Sequence, residues 1–156
     1  MRPIRISATA HSSAEPSRVF AILKDAPGWP SWSIFDSVEF ERPGQDEPHG
    51  VGSIHTFVTR LSRSREEVVE LIPDRRLSYI VLSGFPIREY RAVVEIAGEP
   101  DGGSRITWSS SFFPKYRGTG WFWRLLFGQT LKTVSRQLAR AAEARETAIG
   151  MAAPQT

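Results

Sequence analysis

Residues 123–142 read WRLLFGQTLKTVSRQLARAA, and their hydrophobic pattern predicts one long amphipathic helix that covers residues 119–146. At roughly 100° per residue, Lys132, Arg136 and Arg140 fall on one face of this helix, and a stripe of apolar residues falls on the other. The stripe consists of Trp123, Phe127, Leu131, Val134, Leu138, Ala141 and Ala142. Such a helix must lie on an apolar surface, which we expect the preceding part of the chain to provide as a sheet.

The first turns of this helix are apolar on every side. Residues 120–128 read GWFWRLLFG, and Phe122, Leu125 and Leu126 point away from the stripe. These three side chains need a second contact, which either loops of the same domain or a partner would provide. A homodimer formed through the start of the helix is therefore one expectation.

The segment before the helix has the pattern of an antiparallel sheet. Turn sequences such as GEPDGGS separate its strand-length runs, and these connections are too short to hold crossover helices. A further run, residues 4–11, alternates apolar and polar side chains and predicts a first strand. The remaining predicted strands are rich in β-branched and aromatic residues and cover residues 38–42, 53–61, 65–72, 77–83, 88–96 and 105–113.

Two short helical segments are expected after the first strand. In SSAEPSRVFAILKD, Ser12 and Glu15 have the spacing of a capping box, and Pro16 suits a first helical turn. The sequence APGWPSWS then ends the helix and leaves Trp29 and Trp32 on a turn or a second short helix.

Composition excludes several classes of site. The 156 residues contain no cysteine, which rules out disulfides and thiolate chemistry. The net charge is +3, but the arginines are interleaved with glutamates, so we expect no nucleic-acid partner. His11, His49 and His55 lack the spacing of metal ligands, and no dinucleotide or phosphate-loop motif is present, so we expect no metal and no cofactor. Without an apolar run of membrane-spanning or signal-peptide length, a cytoplasmic protein is expected.

The order of these elements resembles the helix-grip domains of the START/Bet v 1-like superfamily, and more narrowly the SRPBCC group of polyketide cyclase/dehydrase and lipid-transport proteins. The matching pieces are AEPSRVFAILKDAPGWPSW, GVGS, ELIPDRRLSY and GGSRITWSSSF, in that order. The resemblance covers residues 3–146. It implies an α+β fold in which a curved, seven-stranded antiparallel sheet wraps around the long C-terminal helix. Residues 1–148 would form this single domain, and residues 149–156 a frayed tail.

The resemblance also implies an apolar cavity between sheet and helix. Strand alternation and the helix stripe allow one set of side chains to point into it, and Thr59 could add a hydroxyl group. Tyrosine and tryptophan suit such a wall, because each brings a polar group that needs a partner when buried. The expected ligand-binding residues are Trp32, Phe35, Phe57, Tyr79, Tyr90, Trp108, Ser110, Phe112, Phe127 and Leu131.

Some members of this superfamily catalyse cyclisation or dehydration, which needs a base and a donor for a developing enolate. The candidates here are Tyr90, His55, Arg88 and Gln129. Arg88 shares a strand face with Tyr90 only if the strand begins without a bulge. We expect no carboxylate to face inward, since Glu70 shares a face with Val68 and both Glu89 and Glu95 alternate outward.

Three functions remain open from the sequence. The first is binding of a hydrophobic or amphipathic small molecule, such as a lipid, a sterol or a polyketide, in the cavity. The second is a polyketide cyclase or dehydratase, which requires an inward base and donor. The third is an interaction module with a filled core and a partner on Phe122, Leu125 and Leu126.

Overall fold

The computed structural model describes residues 2–152 and contains seven strands, two α-helices and one 3-10 helix. The helices are α1 (Pro16–Lys24), the 3-10 helix (Ala26–Ser31) and α2 (Gly120–Ala152). The strands are β1 (Ile4–Ser12), β2 (Ser37–Arg42), β3 (Ile54–Val58), β4 (Arg63–Ile72), β5 (Arg76–Ser83), β6 (Ile87–Gly98) and β7 (Ser104–Pro114).

All seven strands belong to one antiparallel sheet with the order β1-β7-β6-β5-β4-β3-β2. The predicted strands and their antiparallel pairing are confirmed. One boundary is wrong, because β3 ends at Val58 instead of continuing through residue 61. There the Thr59 hydroxyl accepts hydrogen bonds from the backbone N–H groups of Leu61 and Ser62, and this local turn ends the strand.

Helix α2 packs on the sheet through the predicted stripe. Phe127, Leu131, Val134, Leu138 and Ala142 are all buried, which confirms the helical pattern. The helix makes its most extensive contacts with the edge strand β1.

Two contacts hold α2 along β1. Near the end of β1, the Ser12 hydroxyl donates a 2.9 Å hydrogen bond to the carbonyl oxygen of Ala139. Near its beginning, Gly120 lies so close to Ile4 that a Cβ atom there would be 2.8 Å from Ile4 Cδ1. The expected capping box is wrong, because Ser12 still belongs to β1, and Glu15 is the N-cap residue of α1 without a side-chain capping bond. Pro16 does occupy the first turn of α1.

The 3-10 helix places Trp29 between α1 and the sheet. Its indole N–H donates a 2.9 Å hydrogen bond to the carbonyl oxygen of Leu23, the penultimate residue of α1. Its ring contacts those of Phe57 and Trp108, with centroid distances of 4.8 and 5.8 Å. The two short N-terminal helices are therefore present, and the second carries a large part of the aromatic core.

Helix α2 ends later in the chain than residue 146, where the sequence pattern predicts its end. Helix α2 continues to Ala152, so part of the predicted tail at 149–156 is helical, and residues 153–156 lie outside the described residues. Within residues 2–152, no helix has the length and apolarity needed to cross a membrane.

A cavity between the sheet and the C-terminal helix

A cavity of about 450 Å³ lies between the first half of α2 and the inner face of the sheet. The wall is mostly apolar and aromatic, and it draws on β4, β5, β6, β7, α2, the 3-10 helix and the connecting turns. Its residues are Trp29, Ile34, Phe35, Thr59, Leu61, Ser62, Ser64, Glu66, Tyr79, Val81, Gly84, Phe85, Pro86, Tyr90, Trp108, Phe122, Trp123, Leu126, Phe127, Thr130, Leu131 and Val134.

Six of the ten side chains expected to bind a ligand lie on this wall. They come from the segment after the 3-10 helix, from β5, β6 and β7, and from α2: Phe35, Tyr79, Tyr90, Trp108, Phe127 and Leu131. Thr59, the possible additional hydroxyl, also lies on the wall.

The other four lie behind the wall. Trp32 packs against Trp29 with a centroid distance of 5.1 Å, and Phe57 lines a separate small cavity of about 30 Å³. Phe112 is fully buried beneath Tyr90 and Phe127, whose rings cover it. Ser110 is also buried close to Tyr90, and it does not line the main cavity.

Of the catalytic candidates, only Tyr90 reaches the cavity. His55 is buried in the smaller cavity, where its Nε2 lies 2.8 Å from Nδ1 of His49, and burial lowers the pKa of His55 to about 4. Arg88 is exposed, because β6 has an irregular register between Arg88 and Arg91 and Glu89 adopts a positive φ of 54°. Gln129 is exposed on α2.

Glu66 is an acidic residue of the wall that sequence reasoning missed, so the expectation that no carboxylate faces inward is wrong. It lies on β4, and the Ser64 hydroxyl donates a 2.8 Å hydrogen bond to its Oε2. Burial raises the pKa of Glu66 from 4.5 to about 8, and the Ser64 bond opposes this rise. At neutral pH the carboxyl group is therefore mostly protonated.

The pairing of β3 with β4 indicates that Glu66 faces the inside of the sheet. The register places Glu66 opposite His55 and Ser64 opposite Phe57, so all four side chains lie on the inner face. Alternation along β4 could have identified Glu66 once the inner face of β3 was known.

Two tyrosines complete the polar part of the wall. The Trp108 indole N–H donates a 3.2 Å hydrogen bond to Tyr79 Oη, and the hydroxyl groups of Tyr79 and Tyr90 also form a hydrogen bond with each other. Burial raises the pKa of both Tyr79 and Tyr90, and the charge that Glu66 carries above about pH 8 adds to the rise. We call these residues the polar cluster: Ser64, Glu66, Tyr79, Tyr90 and Trp108.

The cavity opens to solvent between apolar side chains. Leu61, Phe122 and Leu126 line the cavity and are also exposed, so they form its mouth. Leu61 is 97% exposed at the tip of the β3–β4 turn. Gly84 lies beside this turn with φ of 127°, and a Cβ atom at that position would collide with the backbone of Arg63. Glycine therefore allows the β5–β6 turn to approach the start of β4.

A curved antiparallel sheet around one long helix, with a cavity between them, defines a helix-grip protein of the START-like, SRPBCC type. The family model described as "Polyketide cyclase / dehydrase and lipid transport" matches residues 3–144, and the chain belongs to this family. This result confirms the resemblance found in the sequence.

Two solved structures share the fold. XoxI from Bacillus cereus is 18% identical, with a TM-score of 0.70 over 94% of this chain and 99% of that chain. A START superfamily protein from Mycobacterium smegmatis is 16% identical, with a TM-score of 0.74 over 93% and 98% of the two chains. Among curated proteins, no sequence matches the chain. Within residues 2–152, no group of three or more His, Asp or Glu residues could hold a metal ion.

The raised pKa of Glu66 predicts a pH-dependent stability. The folded protein holds a proton on Glu66 between about pH 4.5 and pH 8 that the unfolded chain releases, so the contribution of Glu66 to stability should fall as pH rises through this window. The lowered pKa of His55, about 4, acts in the opposite direction below about pH 6.5, so the Glu66 contribution is isolated by comparing variants at the same pH. The slope of the Glu66 contribution is at most about 1.4 kcal/mol per pH unit. Other titratable groups that face Glu66 are Tyr79 and Tyr90 in the main cavity, and Lys24, His49 and His55 in the small one.

Glu66→Gln should therefore raise the free energy of unfolding at about pH 8 and have little effect at about pH 4.5, as measured by urea denaturation. Glu67→Gln on the same strand is the control, because its carboxylate pairs with Arg42 at 3.2 Å and does not line the cavity. Equal effects of Glu66→Gln at both pH values would contradict a buried neutral acid.

The exposed start of α2 gives a second prediction. Leu125 is 65% exposed and Leu126 is 42% exposed, so replacing both by serine should cost little stability. The double variant should instead change either self-association, measured by analytical ultracentrifugation, or uptake of an apolar ligand. Arg136→Ser, on the exposed face of the same helix, is the control. A large drop in the melting temperature would show that the two leucines belong to the core.

Proposed function

We propose that this protein binds one hydrophobic or amphipathic small molecule, of lipid, sterol or polyketide-like type, in the cavity between α2 and the sheet. One observation carries the proposal. The cavity has a volume of about 450 Å³ and a wall that is mostly apolar and contains nine aromatic residues. Volumes of roughly 300–1,000 Å³, with apolar walls and a few polar groups, are typical of small-molecule sites.

The size of the cavity argues against a filled core. Protein interiors pack as densely as organic crystals, and voids larger than a water molecule are few. Here the void is large, and Tyr79, Tyr90 and Trp108 bring polar groups into it. This arrangement favours ligand binding over the interaction module with a filled core. A homodimer through the start of α2 and a cytoplasmic location stay predictions.

A polyketide cyclase or dehydratase is the second candidate, and Glu66 favours it. A protonated carboxyl group beside Tyr79 and Tyr90 could donate to a carbonyl oxygen or protonate a leaving hydroxyl group. His55 and Arg88 would take no part, since neither lines the cavity. A cyclase would convert a bound poly-β-ketone into a product of altered structure, whereas a binding protein would release it unchanged.

The proposal predicts a specific outcome for Trp108→Ala. In a close-packed core this truncation costs about 3–5 kcal/mol, because the vacated volume is new. Trp108 borders an existing cavity, so its loss should cost the low end of that range or less, and it should weaken uptake of the uncharged fluorescent probe N-phenyl-1-naphthylamine. Urea denaturation and fluorescence titration measure the two effects.

Phe112→Ala is the matched control, because Phe112 lies on the same strand and is fully buried behind the wall. It should cost the full range of about 3–5 kcal/mol. If the wild type takes up no apolar probe, including fatty acids, sterols and polycyclic aromatics, and Trp108→Ala barely folds, the core is filled and the interaction module is the better account.

A further inference from the structure

Within residues 2–152, the cavity wall contains an acidic residue and no basic residue. Among its residues, which all lie in the described part of the chain, Glu66 is the one carboxyl group, and no lysine, arginine or histidine takes part. The protein surface is rich in arginine, so this absence is confined to the cavity. An anionic group that entered would find no cation to pair with.

The polar cluster is also located on one side of the cavity. Its members come from β4, β5, β6 and β7, which are the central strands of the sheet. The side formed by α2 and the mouth is mostly apolar, with Phe122, Leu126 and Phe127 among its residues. Its hydroxyl groups already have partners, because Thr130 donates to the carbonyl oxygen of Leu126, and Thr59 and Ser62 bond to each other. A ligand that satisfies both sides carries a polar group toward the sheet and an apolar body along the helix.

The hydrogen-bonding capacity of the cluster is partly unused. Glu66 Oε2 accepts from Ser64, and no hydrogen bond to Oε1 is found among the described residues. Tyr79 Oη accepts from Trp108, and one of the two hydroxyl hydrogens of Tyr79 and Tyr90 is used in the bond between them, so the pair keeps one hydrogen to donate. Together these groups offer at least one acceptor and one donor to the same ligand.

We propose that the ligand presents an uncharged hydroxyl or ketone group to Glu66 and the pair of Tyr79 and Tyr90, and that the cavity rejects amphiphiles with an anionic head group. This inference rests on the proposed function and names the ligand class. A hydroxyl group can donate to Glu66 and accept the remaining hydrogen of the tyrosine pair, so the unused acceptor and donor of the polar cluster both gain a partner. A carboxylate would be an unpaired buried charge beside an acid, which costs far more than an unmade neutral hydrogen bond.

A cationic amine is the competing head group, since it could pair with ionised Glu66. Such a pair would require both charges to leave water, and the attraction between them often fails to repay that cost. The neutral form of Glu66 needs no counterion and matches a neutral ligand.

The test compares pyrene derivatives that share one skeleton and differ in one group. The probes are 1-pyrenemethanol, 1-acetylpyrene, 1-pyrenecarboxylate, 1-pyrenemethylamine and 1-methylpyrene, titrated by fluorescence at a single pH near 6.5, below the pKa of Glu66 of about 8. The alcohol and the ketone should bind at least ~10-fold more tightly than the carboxylate and more tightly than the amine.

Glu66→Leu tests the role of the residue, because it removes the hydrogen-bonding group and leaves an apolar side chain. The preference of the wild type for 1-pyrenemethanol over 1-methylpyrene should be lost or reversed, since the hydroxyl group would enter without a partner. Glu66→Gln, which keeps hydrogen-bonding capacity, should retain the preference, and Glu67→Gln should leave the ranking unchanged.

Three results would overturn the inference while leaving the proposed function intact: tight binding of the carboxylate, tightest binding of the amine, or an unchanged ranking in Glu66→Leu. Failure of all five probes, including 1-methylpyrene, would instead count against the proposed function itself.

Discussion

The attachment of α2 to the edge strand β1 is the constraint on which the rest of the structure depends. Ser12 fixes the later part of the helix through the carbonyl oxygen of Ala139, and Gly120 lets the first turn lie against Ile4. The helix is thus tied to one edge of the sheet, and the strands beyond β7 curve over its first half without filling the space beneath. The cavity is therefore a consequence of where the helix is held.

The side chains around that space serve two different ends. Aromatic residues such as Trp29 and Trp108 brace one another by ring contacts and keep the walls apart. Glu66 lowers the stability of the fold at neutral pH, because its carboxyl group must give up the charge that it would carry in water. Groups with strongly shifted pKa values in a cleft are often functional, and the role that we propose for Glu66 is a hydrogen bond to the ligand.

Periodicity predicted most of the fold, because hydrophobic spacing and short turns leave few ways to arrange one long helix and several strands. Alternation also assigned Tyr79, Tyr90 and Trp108 to the inner face. It could not tell the cavity wall from the layer behind it, which is why Phe112 was expected to touch a ligand. That distinction depends on how the sheet curves, and curvature has no signature in a single strand.

Local irregularities account for the other misses. Arg88 lies outside the cavity because the backbone bends at Glu89, and an isolated sequence does not reveal where a strand will bulge. Glu66 was missed because its face is defined by the register of β4 against β3, a long-range property. Thr59 lies in a turn and not in a strand, owing to hydrogen bonds from its own side chain.

The central claim is that the space between α2 and the sheet is an open cavity. Crystals of the ligand-free protein pressurised with xenon test it most directly, because xenon enters apolar cavities and gives strong density there. The account predicts a xenon site between Trp108, Phe127 and Leu131. Side chains packed into that space, with no xenon bound between helix and sheet, would contradict it.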